Sequence, residues 1–357
     1  MSTMRAEICQ QPAAIERTLK AEWKHAVKLR AHFERHPVRL IVLAARGTSD
    51  NAAQFGRYLL EISTGIPVSL SAPSVSTLYR AGIHLQDSVV VGISQSGEST
   101  DTNLVLESAR AAGAFTIGVT NESESTLAKL AHETFLVRAG KEKSVAATKT
   151  YTGQQTCFYL LAHALGATIG LDDFTRIPEW ASAALRLEEE IRERAERYCF
   201  MRHAVCVGRG LNYANSFEFA LKLMETCYVV AERFSPADFL HGPIAMLEQS
   251  FPTFLFCPSG VTWNPMQELY GKLQSIQAET LIITDQSNGS VKGLKGLAQK
   301  PLIIPVPLGQ AKQQMPEDLY TPIPYIVPAQ LFAASLAEVK RLDPDKPRSL
   351  SKVTQNL

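Results

Sequence analysis

The sequence predicts an α/β protein: two tandem doubly wound parallel sheets, with a helical lead-in before them and a tail after. Three observations carry this. Short continuous apolar runs alternate with segments of helical periodicity, as parallel strands covered on both faces by helices would. The length, 357 residues, suits two domains of ordinary size. The strand–turn–helix plan also starts twice, near residues 39 and 203.

Taken in order, residues 14–36 place Ile15, Leu19, Trp23, Val27 and Leu29 at helical spacing, so an amphipathic lead-in is expected. Residues 39–45 are a short apolar run and read as a buried strand. The turn Arg46-Gly47-Thr48-Ser49-Asp50 then feeds a helical pattern from Asn51 to Glu61. Strands are expected near Val68 and at 88–93, 115–120 and 134–138, with helices at 101–112, 123–131 and 150–166. Residues 168–176 look turn-like, and one charged helix is expected from about 178 to 198, a connector or solvated face. The plan then restarts. A strand at 203–207, the turn Gly208-Arg209-Gly210 and a helix at 213–230 are followed by strands at 252–257, 280–284 and 301–305 and a last helix at 328–341. The expected domains are 1–170, with its lead-in at 1–37, and 195–340, with a tail at 341–357 that enters the active site.

Composition narrows the function. Lys plus Arg number 36 and Asp plus Glu 35, so no net field draws the chain to nucleic acid or to a membrane surface. No apolar run is long enough to span a bilayer, and the N-terminal residues do not resemble a secretory signal. The six cysteines show no CxxC spacing and are expected as buried free thiols in a reducing compartment. No metal-ligand cluster and no cofactor motif is visible, neither GxxxxGK[ST] nor a GxGxxG after a strand. A cytoplasmic protein acting on a small molecule is the expectation.

Residues 92–102, GISQSGESTDT, lie between an expected strand and helix. Five of the eleven carry hydroxyls. Ligands of doubly wound sheets sit beyond the carboxyl ends of strands, where helix N-termini offer N–H groups and partial positive charge. Two strand ends here carry hydroxyls: Thr48 and Ser49 after the first, and Ser94, Gln95, Ser96, Ser99 and Thr100 after a later one. Such neutral donors can cradle a phosphate without lysine. The plainer alternative is that these residues merely cap helices, which suits one hydroxyl better than two clusters. The second half repeats Arg-Gly at its first turn, yet no second SQSGES follows its 252–257 strand.

Glu218, Lys222 and Glu225 fall at i, i+4 and i+7 and share one helix face. The pattern alone allows a solvated salt-bridged stripe, but largely apolar neighbours argue for a drier setting, where a carboxylate beside a lysine can be tuned for proton transfer. His241, in Leu240-His241-Gly242-Pro243, can be structural or catalytic; Lys352, in a polar tail, would ordinarily be a solvated lysine.

The ordered set EICQQP, ARGTS, ISQSGESTDT, VAATKT, GRG, FALKLMETCYVVAE, HGP and DPDKPRSLSK resembles the sugar isomerase (SIS) family, whose domains are flavodoxin-like. More narrowly it resembles the isomerase half of glutamine–fructose-6-phosphate aminotransferases. The resemblance spans nearly the whole chain. It implies that Thr48, Ser49, Ser94, Gln95, Ser96 and Ser99 hold a sugar 6-phosphate, and that Val145 and Ala147 touch the sugar through their main chain. It implies Glu225 as the base between carbons 1 and 2, Lys222 as its helper, His241 in ring opening and Lys352 as the Schiff-base amine. It also implies a homodimer in which His241 reaches the neighbouring subunit's pocket. Helices 14–36 and 178–198, whose apolar stripes lack an obvious partner, agree with pairing.

The chain begins at what would be that family's linker, so no glutaminase domain is expected before it. The expected reaction is then amino-sugar-phosphate deamination with isomerisation, glucosamine 6-phosphate giving fructose 6-phosphate and ammonia, with the imine as electron sink and no metal. Two alternatives stay open: a fructosamine-6-phosphate deglycase, and a non-catalytic phosphosugar sensor.

Overall fold

The protein is described here from a computed structural model covering residues 2–169, 171–294, 300–306, 316, 318–350 and 352. It divides into two compact units. The phosphate-loop unit comprises Gln10–Lys143, Ala147–Pro178 and the chain from Ser349 onward; the other comprises Met1–Cys9, Ser144–Ala146 and Glu179–Arg348.

The phosphate-loop unit holds five parallel strands, β1 (Leu40–Ala44), β2 (Val68–Leu70), β3 (Ser88–Ile93), β4 (Phe115–Thr120) and β5 (Glu133–Leu136), in the order β2-β1-β3-β4-β5. The apolar runs are strands because both faces are covered. Every residue of β3 is buried, as a parallel sheet between helical layers requires. The order reverses between β1 and β3, whose register pairs Leu43 with Val91 and Ala44 with Gly92. That reversal is the switch point at which open parallel sheets bind ligands.

Two helices fix what stands at this edge. The Lys149–Ala164 helix is buried at every residue but His163. It packs against the Gln11–Phe33 helix and against the Thr48–Thr64 helix. The latter starts from Gly47, at φ 58°, and stops at Gly65 in the left-handed region. Gly56 makes this packing close: a Cβ there would meet the Phe158 ring at 2.4 Å.

The second unit repeats the plan with β6 (His203–Gly208), β7 (Val230–Phe234), β8 (Pro252–Phe256), β9 (Glu279–Asp285) and β10 (Leu302–Ile304), all parallel, in the order β10-β9-β8-β6-β7. Read from β7, the order matches that of the first sheet, so the restart in the sequence is a repeat of topology.

Several elements differ from expectation. The helix expected at 213–230 ends at Cys227, because Tyr228 turns left-handed at φ 54° and the Tyr228 and Val229 N–H groups return to the Leu223 carbonyl. The residues after it form β7, an edge strand beside β6. The single charged helix expected at 178–198 is two, Ile177–Leu185 and Glu188–Arg197, and a one-turn helix, Leu171–Phe174, precedes them. The last helix begins at Pro322, six residues before the expected start. Prolines in a first turn lose nothing, since those N–H groups have no partner anyway, and only Pro328 forfeits a helical bond. The apolar stripes that suggested subunit pairing find partners within their own units: the Gln11–Phe33 helix on Lys149–Ala164, and the Glu188–Arg197 helix on Pro322–Val339. All six cysteines are free, but only Cys157, Cys206, Cys227 and Cys257 are buried; Cys9 is half-buried and Cys199 exposed. Of the expected tail, residues 351 and 353–357 lie outside the described residues.

One polar cluster ties the lead-in helix to the sheet edge. His25 Nε2 lies 3.0 Å from Glu133 and Nδ1 3.5 Å from Glu22, whose buried carboxylate accepts from Arg138 Nε at 2.7 Å. The Glu22 hydrogen bond, aided by Glu133, raises the His25 pKa against desolvation. Burial raises that of Glu22, but the bonds from His25 and Arg138 outweigh it and the net shift is downward. The His25 contribution is therefore full below the ordinary imidazole value and is lost as pH rises through the raised one, while that of Glu22 is lost only in acid. Thermal melts should fall in midpoint from pH 6 to pH 9, and the fall should be smaller in His25→Gln. In the packing seam, Gly56→Val should destabilise the protein by about 1–3 kcal/mol, measured by urea unfolding.

Candidate functional site

The structure brings the two hydroxyl clusters of the phosphate-loop unit together. β1 and β3 are neighbours, and Arg46, after β1, pairs with Asp101 in the first turn after β3, Nε to Oδ2 at 2.9 Å. The capping alternative does not account for the hydroxyls. Ser99 stands at the N-cap of the Thr100–Ala111 helix, but its side chain makes no cap bond and accepts instead from Thr102 Oγ1 at 3.1 Å. Thr48 and Ser49 are inside their helix, past Gly47. Ser49, buried, accepts from Gln154 Nε2 at 2.8 Å. Ser94 Oγ accepts the Gly97 N–H at 3.1 Å and Ser96 Oγ the Glu98 N–H at 3.2 Å, so each hydroxyl keeps its own proton to donate.

The loop is also pinned from behind. The Gln95 carbonyl accepts from Asn121 N and Thr120 Oγ1, and the Gly97 carbonyl from Leu127 N and Asn103 Nδ2. Gly97, at φ 67°, has no room for a Cβ, which would lie 2.1 Å from Ser125 Oγ. Glu98, the loop's carboxylate, is turned away: it accepts from Thr126 N at 2.9 Å and Thr126 Oγ1 at 2.7 Å, bonds that lower its pKa. The N–H groups of Gln95, Ser96 and Ser99 have no partner among the described residues. What remains is a run of neutral donors pinned from behind, with the one carboxylate turned away, chemically suited to an oxyanion.

The second unit closes the corresponding loop on itself. Three residues past the end of β8 stands Ser259, as Ser96 stands three past β3, and each is followed by a glycine of positive φ. Cys257 N donates to Ile283 O just as Ser94 N donates to Val119 O. Here the donors are already used: Ser259 N and Oγ, Ser287 N and the Tyr325 hydroxyl all bond the buried Asp285 carboxylate. In the second copy an internal carboxylate takes these donors, whereas in the first the Gln95, Ser96 and Ser99 N–H groups have no partner among the described residues.

On the Tyr213–Cys227 helix, Lys222 Nζ lies 2.5 Å from Glu225 Oε2 and 3.5 Å from Glu218 Oε1. The Lys222 and Glu218 side chains have no exposure and that of Glu225 is 22% exposed. The solvated-stripe alternative therefore fails, and Glu225 alone of the three reaches solvent. His241 ends the Pro236–Leu240 helix, exposed, beside Gly242 at φ 151°. Val145 and Ala147 are half-buried in the bend before the Lys149–Ala164 helix. Lys352 Nζ lies 3.2 Å from the buried carboxylate of Glu142, in that same bend. Reading the sequence missed Glu142, Gln154 and Asp285. The only available signals were a carboxylate shortly before a helix, a polar residue in an apolar helix, and an aspartate closing a strand.

The comparisons with known proteins follow this geometry. A model of the SIS domain matches residues 36–164 and 201–298. The chain belongs to the SIS domain family. A glutamine–fructose-6-phosphate aminotransferase of Pyrococcus horikoshii is 34% identical over 98% of this chain, which spans 57% of that protein's length. Among solved SIS structures, the C-terminal domain of the glucosamine-fructose-6-phosphate aminotransferase of Francisella tularensis superimposes with a TM-score of 0.84 at 25% identity, covering 97% of this chain and 98% of that one. The glucosamine-6-phosphate deaminase of Thermotoga maritima gives 0.76 at 20% identity, over 99% and 100%, a likeness of fold. Among the described residues no helix is long and apolar enough to cross a membrane, and no group of three or more His, Cys, Asp or Glu could hold a metal.

Removing the central cation leaves a buried carboxylate uncompensated. Lys222→Met should cost roughly 3–5 kcal/mol of stability, read by denaturant unfolding, and Glu218→Gln combined with it should recover part of that loss.

Proposed function

We propose that this SIS protein is an amino-sugar-phosphate deaminase and isomerase, converting glucosamine 6-phosphate and water to fructose 6-phosphate and ammonia. The observation that carries the reading is the donor run of Ser94–Ser99, whose Ser94 and Ser96 hydroxyls keep their protons to donate; in the other unit, the buried Lys222 holds a partly exposed Glu225. The nest takes the 6-phosphate, and the main chain at Val145 and Ala147 holds the sugar hydroxyls. His241 moves the proton that opens the ring. Glu225 takes the proton from carbon 2 of the open aldehyde and returns it to carbon 1, which leaves an imine at carbon 2. Lys222, 2.5 Å from Glu225, holds that carboxylate in place. The Lys352 amine adds to that imine, ammonia leaves carrying the proton, and water hydrolyses the lysyl imine to the ketone. The carbon 1 aldehyde is the electron sink: its oxygen takes the electron pair and a proton, and the amine gives up a proton as the imine forms. The aminotransferase names of the relatives agree with this chemistry at carbons 1 and 2. We also read the working form as a homodimer in which the exposed His241 serves the neighbouring chain.

The test is incubation with glucosamine 6-phosphate and assay of ammonia and fructose 6-phosphate. Equal amounts of both support the reading; release of an amino acid from a fructosamine 6-phosphate instead would make the protein a deglycase, and binding without turnover a sensor. Ser96→Val should raise KM at least about tenfold through the lost charge-assisted bonds, and Glu225→Gln should lower kcat by about 100-fold or more with little change in KM. Mixing His241→Ala with Glu225→Gln chains should restore part of the activity that neither has alone.

A further inference from the structure

Glu142 is a buried carboxylate with no assigned role. Its side chain has no exposure, yet it makes four polar contacts. Oε1 accepts the N–H of Thr148 at 2.9 Å and of Thr150 at 3.2 Å. Oε2 accepts the Thr150 hydroxyl at 2.6 Å and Lys352 Nζ at 3.2 Å. Three of these donors belong to the start of the Lys149–Ala164 helix, where a carboxylate is favoured by unpaired N–H groups and by the helix dipole. The fourth comes from the tail, 210 residues further along the chain.

A helix cap alone does not explain this arrangement. A cap needs one oxygen, and Thr148, at the N-cap itself, makes no side-chain cap bond. Glu142 satisfies the helix mainly through Oε1 and its neighbouring hydroxyl, and turns Oε2 toward an ammonium that is 25% exposed on an otherwise polar tail. A tail lysine carries large side-chain entropy, which must be offset if the lysine is to occupy one place. A charged, fully ligated and immobile acceptor does this better than an exposed one, because the helix already holds it.

We propose that Glu142 is a positioning residue that docks the Lys352 ammonium against the bend bearing Val145 and Ala147. The role rests on the lysyl-imine reading of Lys352 given above. Glu142 itself touches no substrate in this role; it holds the amine within reach of the sugar carbons whose hydroxyls that bend is assigned to hold.

Two readouts on the full chain test this. The first is pulsed acetylation with acetic anhydride, with Lys352 followed by mass spectrometry. The second is borohydride reduction in the presence of fructose 6-phosphate, which converts a lysyl imine to a stable adduct. Glu142→Gln keeps an acceptor for Thr148 and Thr150 but loses the charge. It should label Lys352 about tenfold faster than the native protein and lose most of the adduct, with kcat down and KM within about twofold. Glu142→Asp keeps the charge one methylene short and should give an intermediate result; it also serves if the Gln variant fails to fold. Thr150→Val removes one neutral bond to Oε2 but keeps both charges of the ion pair, and should speed Lys352 labelling far less than Glu142→Gln does. Equal labelling of Lys352 in native and Glu142→Gln proteins would overturn the proposal, as would equal acceleration by Thr150→Val. Protection of Lys352 by Glu142 without any adduct in the native protein would uphold the docking contact and sink the imine reading alone.

Discussion

The proposed site depends on one constraint, that its oxyanion be held by groups which carry no charge. A nest of hydroxyls and amide N–H groups works only if it is held open and kept clear of competing acceptors. Much of the phosphate-loop unit serves those two conditions. Gly97 lets the loop turn tightly against Ser125, Thr120 and Asn121 hold the Gln95 carbonyl, and Gly56 lets the helix bearing Thr48 and Ser49 seat against Phe158. Glu98, which would repel an anion, is bound to Thr126 instead. The fold thus places its order at the C-terminal ends of β1 and β3, where a doubly wound sheet leaves its crevice.

The second unit shows what happens when that constraint is relaxed. Its loop keeps the strand, the serine and the positive-φ glycine, but Asp285 stands where a ligand would and satisfies the donors permanently. A duplicated plan has therefore diverged chemically. One copy holds its donors open and the other uses them for stability. The second unit carries a charged cluster instead, with Lys222 buried between two carboxylates and Glu225 partly exposed.

Much of this was legible from residue patterns, for definite reasons. Strands buried on both faces are continuous apolar runs, so β1, β3, β4, β6 and β8 could be seen directly. The hydroxyl clusters were legible because they recur at two strand ends, where a helix cap would need one hydroxyl. β7 was not legible: its edge position leaves Val230 exposed, and its residues continue the apolar rhythm of the helix before it, so only the left-handed Tyr228 marks the boundary. The start of the last helix was hidden by its own prolines, which read as breakers although two of them lie in the first turn. Glu142 and Asp285 were illegible because their partners are far away along the chain or are main-chain groups, and no local spacing announces such contacts. For the same reason, the chemical reading of Lys352 came from a family resemblance, and its partner came from geometry.

The central claim is that a single open anion nest per chain lies at Ser94–Ser99. Amide chemical shifts during titration with inorganic phosphate test it most directly, because they report on the N–H groups themselves. The account predicts that the Gln95, Ser96 and Ser99 amides shift together with one saturation curve, while the Ser259 and Ser287 amides, held by Asp285, stay where they are. Saturation at Ser259 and Ser287 with Gln95, Ser96 and Ser99 unmoved would contradict it.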